Sequence, residues 1–545
     1  MDVRLLRAHE PWKNKLACYS HCGFSVHADL HTAAITGVSA RLVEVKVRLA
    51  PGQSGFHLVG APDHVNTETR VRVLNALHNN RYQLPLAKIS ANVKPNELRK
   101  ESPSLDLVIA LGILEVAGII PAVKRSTVIV GDLGLSGTLL QSRGVLPIAL
   151  EAKRLGFSCL IVPLQNAAEG SLVQGLRVFG ARSLTEAAEI YAELGLHEQA
   201  IPPRAAGSPT NPLDLSDVRG QFLCKRGLEI AAAGGHNALL VGPPGGGKTI
   251  LARRVPGILP PLTFDEALEV TSIWSIAGRL KPGQGLIGER PFRAPHHTIS
   301  GPGLIGGGNP LRPGEVSLAT HGALFLDELP EYSRASLEAL RQPLERGKIT
   351  LVRAGGSFSL PGRFMLIAAM SPCGCGQGLG LGTRRCQCTR EAIEQYRRRI
   401  SKSILDHFDL HIACSSPLAS SSMAVPHGET SSIVRGRVEA ARIRQRERYA
   451  SVPGVRCNAN LRGSAQLILC APTDAARSYL TSLIDSKRIP VLAYDHVLKA
   501  SRTIADLEGS QTIREEHINE AAELRCLDKI ENEQTPRGQD RPRKK

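Results

Sequence analysis

The order of apolar and polar positions changes character twice along the 545 residues. In the first stretch, short alternations such as Leu42-Val43-Glu44-Val45-Lys46-Val47 interleave with longer helical patterns such as that from 105 to 116. They predict a mixed α/β domain over 30–197. The stretch 198–215, rich in Pro and Ala, predicts a linker. Beyond it come three continuous apolar runs: Ala238-Leu239-Leu240-Val241, Ala323-Leu324-Phe325-Leu326 and Phe364-Met365-Leu366-Ile367-Ala368. Runs of that kind predict parallel strands covered on both faces, in a second α/β domain over 216–422 that closes at a serine run. From 423 to 530 the period is helical, with helices predicted at 433–449, 465–470, 475–486, 494–507 and 518–527. Residues 1–29 show no clear period and predict a loosely ordered extension. Residues 531–545 predict a basic, disordered tail.

Charge adds a partner to this picture. The formal net charge of +17 exceeds that of an ordinary enzyme and points to a polyanion such as nucleic acid. No run approaches the roughly 18 apolar residues of a membrane span, and the start of the chain lacks a secretory apolar core with a cleavage site. The expectation is a cytoplasmic protein with no membrane partner. Of 12 cysteines, eight are scattered and four are clustered, which argues for reduced thiols and one metal site over a disulfide framework.

The most specific chemistry lies at Gly242-Pro243-Pro244-Gly245-Gly246-Gly247-Lys248-Thr249, a complete phosphate-loop pattern between an apolar strand and a helical stretch. Its glycines let backbone N–H groups approach phosphates, Lys248 brings a point charge to the outer phosphates, and the Thr249 hydroxyl is a ligand for Mg²⁺. About 80 residues later, the strand 323–326 ends in Asp327-Glu328. Asp327 is expected in the Mg²⁺ shell, and Glu328 is expected to orient the attacking water. Phosphoryl transfer needs positioning and charge stabilisation more than covalent chemistry, so these residues form a minimal ATPase, with Lys248 and Glu328 as its catalytic pair.

With these residues in place, the sequence resembles the Mg-chelatase-like AAA+ ATPases of the YifB/ComM type, over nearly everything from His31 to Asp528. The resemblance is carried by Ala231-Ala232-Ala233-Gly234-Gly235-His236-Asn237, by Arg290-Pro291-Phe292-Arg293-Ala294-Pro295-His296-His297-Thr298, by Leu304-Ile305-Gly306-Gly307-Gly308 and by Arg341-Gln342-Pro343-Leu344-Glu345. It implies an α/β multidomain chain: an AAA+ αβα P-loop core with a parallel sheet, a C-terminal helical lid, and a homo-hexameric ring with ATP between subunits. Competence-associated members of the family are DNA motors for branch migration, which makes single-stranded or branched DNA the expected partner, although family alone does not fix function. The N-terminal domain resembles the Lon-protease-like (ribosomal S5 domain 2-like) fold, with Ser104 where the nucleophile of a Ser–Lys dyad would stand. The block Gly144-Val145-Leu146-Pro147-Ile148-Ala149-Leu150, where the activating lysine belongs, has none, and Lys153 is the nearest substitute. A serine without its base is an ordinary serine, so a non-proteolytic scaffold is expected.

Two further clusters remain. For the pair His296 and His297, the resemblance favours a loop-ordering or pore-lining role over metal binding. Cys373-Gly374-Cys375 and Cys386-Gln387-Cys388 are two CxC pairs around a short loop rich in Gly and Arg, and four thiolates suit a structural Zn²⁺.

The chain departs from its family at three places. Ser371 stands where a sensor Asn is usual, His407 where an Arg reaches the neighbouring subunit's nucleotide, and Leu492 where an Arg of the lid contacts it. Arg is always charged and forked whereas His is mostly neutral near pH 7. Weakened hydrolysis is therefore expected, with Arg397, Arg398, Arg399 and Arg502 as nearby substitutes. The competing readings are a nucleotide-dependent scaffold or regulator with low turnover and, with less support, a chelatase-type remodelling subunit.

Overall fold

The computed structural model describes residues 27–50, 53, 55–60, 63–84, 87–94, 104–122, 126–193, 213–308, 311–353, 356–378, 386–415, 428–486 and 489–528. Most of the extension, most of the linker, the serine run and the basic tail predicted above lie outside the described residues.

The N-terminal α/β unit is built on a seven-stranded mixed sheet. Its strands follow in the order Gly55–Val59, Lys88–Lys94, Ser39–Ala50, His27–Thr36, Thr127–Ile129, Cys159–Pro163 and Arg177–Ala181. The first hairpin pairs His27 with Arg48 and Thr36 with Ser39, so the opening strand takes in residues 27–29, which carry too little apolar character to be read as strand. The hairpin turns at Gly37, whose φ of 67° is a left-handed conformation suited to glycine. From Thr127–Ile129 outward the sheet is parallel, as βαβ crossovers require. The helix Asp106–Val116 is buried over its first nine residues. Its apolar run is nearly continuous because it packs between the sheet and other helices.

The second unit holds a five-stranded parallel sheet in the order Phe292–Arg293, Ala323–Leu326, Met365–Met370, Ala238–Val241, Leu410–Ala413. All three strands expected from apolar runs are present, and every residue of each is buried. The third runs from Met365 to Met370, two residues further than the apolar run suggested, because Ala369 and Met370 continue the ladder opposite Leu240 and Val241. The edge strands Phe292–Arg293 and Leu410–Ala413 escaped prediction, being short and interrupted by Arg293 and His411.

After the sheet the chain is helical, at Ser431–Arg448, Gly463–Leu469, Asp474–Asp485, Tyr494–Glu508 and Glu515–Glu523. These helices share one apolar core with the phosphate-loop face of the sheet. Val434, Val438, Leu480, Val497 and Ile518 cluster with Leu240, Leu251 and Ile412. The N-terminal unit touches the second through the helix Val145–Arg154, where Gly144 N–H donates to Ser275 O at 3.2 Å, and through Gln141, which donates to Leu280 O at 3.2 Å.

Candidate functional site

The nucleotide-type site grows out of the central strand. The helix Phe222–Gly234 ends at Gly235, which has φ 70° and leaves no room for a Cβ beside Cys457 and Arg442. Asn237 then ties three segments together, donating from Nδ2 to His407 O at 2.9 Å and accepting at Oδ1 from Leu366 N–H at 2.8 Å. The strand leaves the sheet through Gly242, where a Cβ would overlap the Cys414 carbonyl. Gly245 and Gly247 have φ of 77° and 78°, conformations open to glycine, and they turn the backbone into the helix Lys248–Ala252.

Around that turn the predicted residues converge. Lys248 Nζ donates to the carbonyls of Gly242 and Pro243 at 2.7 and 2.8 Å. Burial lowers its pKa from the ordinary lysine value, against the charges of Asp327 and Glu328. Thr249 Oγ1 donates to Asp327 Oδ2 at 2.6 Å. Glu328 follows in a left-handed conformation, φ 51° and ψ 52°, with its side chain 69% exposed toward the opening. A non-glycine residue there stores strain of about 1–3 kcal/mol and aims the carboxylate away from the sheet. Ser371 is the first residue past the strand Met365–Met370 and faces the same space. The pocket has a volume of about 710 Å³ and is lined by 244–250, Asp327, Glu328 and Ser371. That is within the ~300–1,000 Å³ of small-molecule sites. Gly242 and Pro243 do not line it; they hold Lys248 through their carbonyls.

Eight lining residues were not assigned to the pocket by sequence, among them His297, Glu331, Gly374 and Tyr396. His297 Nδ1 stands 3.8 Å from Glu328 Oε2, and its ring lies 4.1 Å from that of His296. The His296 ring nitrogen meets Thr298 Oγ1 at 3.0 Å, and Tyr332 OH donates to Pro295 O at 2.7 Å, so the block is an ordered loop. The signal was present in the His-His pair, but its placement depends on the sheet partner Phe292–Arg293. Among the described residues, the groups spaced to hold a metal ion do not include this pair.

The three departures fall in different places. Ser371 is at the pocket. His407 is half-buried near Glu345, Arg341 and Arg462, and burial lowers its pKa from the usual histidine value. The side chain of Leu492 lies outside the described residues. Of the nearby arginines, Arg502 is buried, with Nε on Asp506 Oδ1 at 3.1 Å and Nη1 and Nη2 on the carbonyls of Gln511 and Ser510 at 2.8 and 2.5 Å. It is fixed inside the helical region and cannot serve as a substitute at this subunit's pocket. Arg399 Nη1 bonds the pocket residue Glu331 at 2.8 Å, over the ring of Tyr396.

The four clustered cysteines come together: all four Sγ atoms lie within 4.8 Å of one another. In the N-terminal unit, Ser104 Oγ reaches Asp132 Oδ2 at 3.5 Å, and Lys153 Nζ is on Gly175 O at 2.9 Å. The serine therefore faces an acid, and the one substitute lysine is engaged elsewhere.

The comparisons agree with this architecture. Residues 214–422 match the family of magnesium chelatase, subunit ChlI; 43–166 match subunit ChlI of Mg-chelatase; and 428–525 match the C-terminal part of that subunit. The chain is 40% identical to competence protein ComM of Haemophilus influenzae over 515 residues, covering 93% of this chain and 99% of that one. It is 39% identical to the uncharacterized protein YifB of Salmonella typhimurium over 507 residues, 92% and 98% of the two chains. A partial match, 26% over 159 residues, covers 29% of this chain and 34% of the DNA repair protein RadA of Bacillus subtilis.

The parallel sheet and the loop that follows its central strand define an α/β protein of the AAA+ Mg-chelatase type. Within that class, the chain belongs to the Mg-chelatase-like YifB/ComM family. The family implies use of a nucleotide and Mg²⁺, and the pocket's ammonium, hydroxyl and paired carboxylates suit a magnesium-bound polyphosphate. Among the described residues, no helix is long and apolar enough to cross a membrane.

Proposed function

We propose that this chain is an ATP-hydrolysing motor that assembles as a homo-hexameric ring and acts on DNA. The observation that carries the reading is the convergence of Lys248, Thr249, Asp327 and Glu328 on one open pocket, with Thr249 already bonded to Asp327 at 2.6 Å. Thr249 and Asp327 are the residues placed to hold Mg²⁺, which supplies charge neutralisation at the phosphates when bound. Lys248 neutralises the outer phosphates, and the N–H groups of 245–249 cradle them. Glu328 orients the attacking water and is held clear of the sheet by its left-handed backbone. His297, 3.8 Å away, limits the directions that carboxylate can take, and Ser371 offers a hydroxyl where the water or γ-phosphate would lie. Turnover is slow, because His407 replaces an arginine and Arg502 is committed to Asp506 and two carbonyls.

DNA is favoured by the +17 charge, by the competence protein among the relatives and by the partial match to a DNA repair protein. The N-terminal unit is a non-proteolytic Lon-like scaffold, and the helices after 423 form the lid over the nucleotide. The setting is the cytoplasm. The test is the ATPase rate of the full chain with and without single-stranded and branched DNA, with Glu328→Gln as control. Stimulation that fades with salt is expected, since phosphate neutralisation releases counterions. Failure of both DNA forms to bind at low salt would remove DNA from the proposal. Nucleotide binding with no turnover, even after His407→Arg, favours the scaffold reading, whose motive is the committed Arg502.

A further inference from the structure

The four cysteines stand against the nucleotide pocket, not apart from it. Cys373 and Cys375 lie on the chain leaving the strand Met365–Met370, two and four residues after Ser371. Cys386 and Cys388 immediately precede Thr389, whose side chain caps the helix Arg390–Arg397 by accepting from Ala392 N–H. Sγ separations are 3.4 Å for Cys373 to Cys375, 3.7 Å for Cys373 to Cys386 and 3.6 Å for Cys375 to Cys386. Thiolates about 2.3 Å from one tetrahedral zinc ion stand about 3.8 Å apart, whereas a disulfide needs about 2.05 Å. The cluster has the spacing of a ligand set.

One limb of the cluster, and the helix that follows the other, are also walls of the pocket. Cys373 and Gly374 line it from one limb, and Tyr396 from the helix that follows the other. Gly376, with φ 77°, packs so closely on Pro244 of the phosphate loop that a Cβ there would overlap the proline ring. Arg397 Nη2 reaches back to Pro372 O at 3.5 Å.

We propose that Cys373, Cys375, Cys386 and Cys388 bind one zinc ion, and that this ion ties the Ser371 loop to the helix Arg390–Arg397, so that zinc and nucleotide binding are coupled. Binding forms four Zn–S bonds as each thiol gives its proton to solvent. Zinc fixes the loop that presses Gly376 on Pro244, and without it that wall pays an ordering cost each time nucleotide enters. Linkage makes the effect reciprocal: the factor by which zinc tightens nucleotide is the factor by which nucleotide tightens zinc. The coupling rests on the nucleotide reading above; the metal site does not.

The test takes the full chain loaded with zinc, the same chain after a zinc-selective chelator, and the double variant Cys386→Ser, Cys388→Ser. Metal is counted by mass spectrometry, and the Kd of a fluorescent ATP analogue is measured in excess Mg²⁺. About one zinc ion per loaded chain is expected, lost in the variant. Nucleotide affinity should fall about 5-fold or more without zinc and return when zinc is restored to the chelated wild type. Saturating ATP should slow zinc transfer to the chelator, and Lys248→Ala should keep zinc while losing that protection. A chain that takes up no zinc overturns the site. Zinc uptake with equal nucleotide affinity in both states overturns the coupling alone. Zinc uptake with no nucleotide binding overturns the nucleotide reading and, with it, the coupling. Because the chelated wild type carries the comparison, misfolding of the variant leaves it decidable.

Discussion

At the strand ends of the five-stranded sheet, a hydroxyl, an ammonium and two carboxylates meet around an open pocket: Thr249, Lys248, Asp327 and Glu328. In the seven-stranded sheet's unit, a hydroxyl, a guanidinium and two carboxylates also meet, around the fully buried Asp106: they are Ser104, Arg72, Asp106 and Asp132. Arg72 bonds Asp106 through Nε at 2.5 Å and Nη2 at 3.3 Å, and also Glu68 at 3.1 Å. Among the described residues, the side-chain donor to Asp132 is the distant Ser104 hydroxyl, and burial, with the Asp106 charge adding, pushes its pKa up to about 6. Similar side chains can thus form a place for an incoming polyanion or a closed, under-compensated acid pair. Each has one cation; what separates them is where it is engaged, since Arg72 is closed on Asp106 and Glu68 whereas Lys248 rests on two backbone carbonyls beside the pocket.

The strongest test of this contrast is at the open site. Lys248→Ala should lower ATPase kcat/KM at least about 100-fold, since a preorganised charge at the phosphates is lost. Retained ATPase would show that the pocket is not the nucleotide site.

Next in size is a buried acid that is fully compensated. Asp409, just before the strand Leu410–Ala413, takes His236 Nδ1 at 3.1 Å on one oxygen and His496 Nδ1 at 2.7 Å on the other, while His236 Nε2 meets Thr503 Oγ1 at 2.7 Å. Burial opposes its ionisation, but these histidines overcome it and hold the carboxyl well below the carboxylate range. Because the folded pKa is depressed, the stability it brings is fully present above about pH 4 and is lost only as pH falls through the lower folded value. Asp409→Asn should cost about 3 kcal/mol at pH 7 in chemical denaturation; a cost under about 1 kcal/mol would mean that the triad does not join sheet to helices. The neighbouring His411 loses stability on acidification too, but over a higher pH window. Burial and Arg525 keep its pKa well below the usual value, so the unfolded chain gains the extra proton below about pH 6.5 and stability falls from there downward.

Asp132 is the inverse of Asp409. Its raised pKa means that the folded chain pays for ionising it: the penalty is complete above about pH 6 and fades as pH falls toward the ordinary value of 3.8. Asp132→Asn should stabilise the protein by about 1–3 kcal/mol at pH 8 and by little at pH 4, read from thermal denaturation at both. Equal effects at the two pH values would mean that the acid is compensated after all.

The open site was legible from sequence because a phosphate loop is local: strand, glycines, lysine and hydroxyl are contiguous, and the acid pair follows a recognisable strand. Three buried strands and the helices after 423 were legible for a similar reason, since apolar continuity and a 3.6-residue period need no partner to be seen. His297 and Tyr396 were not, because each reaches the pocket only through long-range pairing or packing, as His297 does by way of Phe292–Arg293 alongside Ala323–Leu326, and Glu331 is turned in by the short helix Leu329–Glu331 that follows Glu328. The fate of Arg502 was equally hidden. A matching arginine in sequence is indistinguishable from one whose fork is closed on Asp506, Ser510 and Gln511. The acid pair beneath Ser104 was invisible too, because Asp106 opens a helix and Asp132 a distant strand, and they meet through Leu133 N–H donating to Asp106 Oδ2 and Leu107 N–H donating to Gly131 O, both at 3.2 Å.

The smallest expected effect is at Ser104 itself, and it tests the closed half of the comparison. At 3.5 Å the hydroxyl is at the outer limit of a hydrogen bond to Asp132, and Lys153, the substitute lysine, is engaged on Gly175 O. The backbone bond that holds this residue, Thr32 Oγ1 donating to Ser104 O at 3.2 Å, does not involve the side chain. Ser104→Ala should therefore change stability by less than about 0.5 kcal/mol, leave ATPase unaltered and remove no peptide-hydrolysing activity. A serine activated for attack would instead label with a fluorophosphonate and lose that labelling in the variant. Labelling of the wild type would mean that Asp132, near pH 6, acts as the base the sequence lacks, and that the two acid clusters differ in access but not in function.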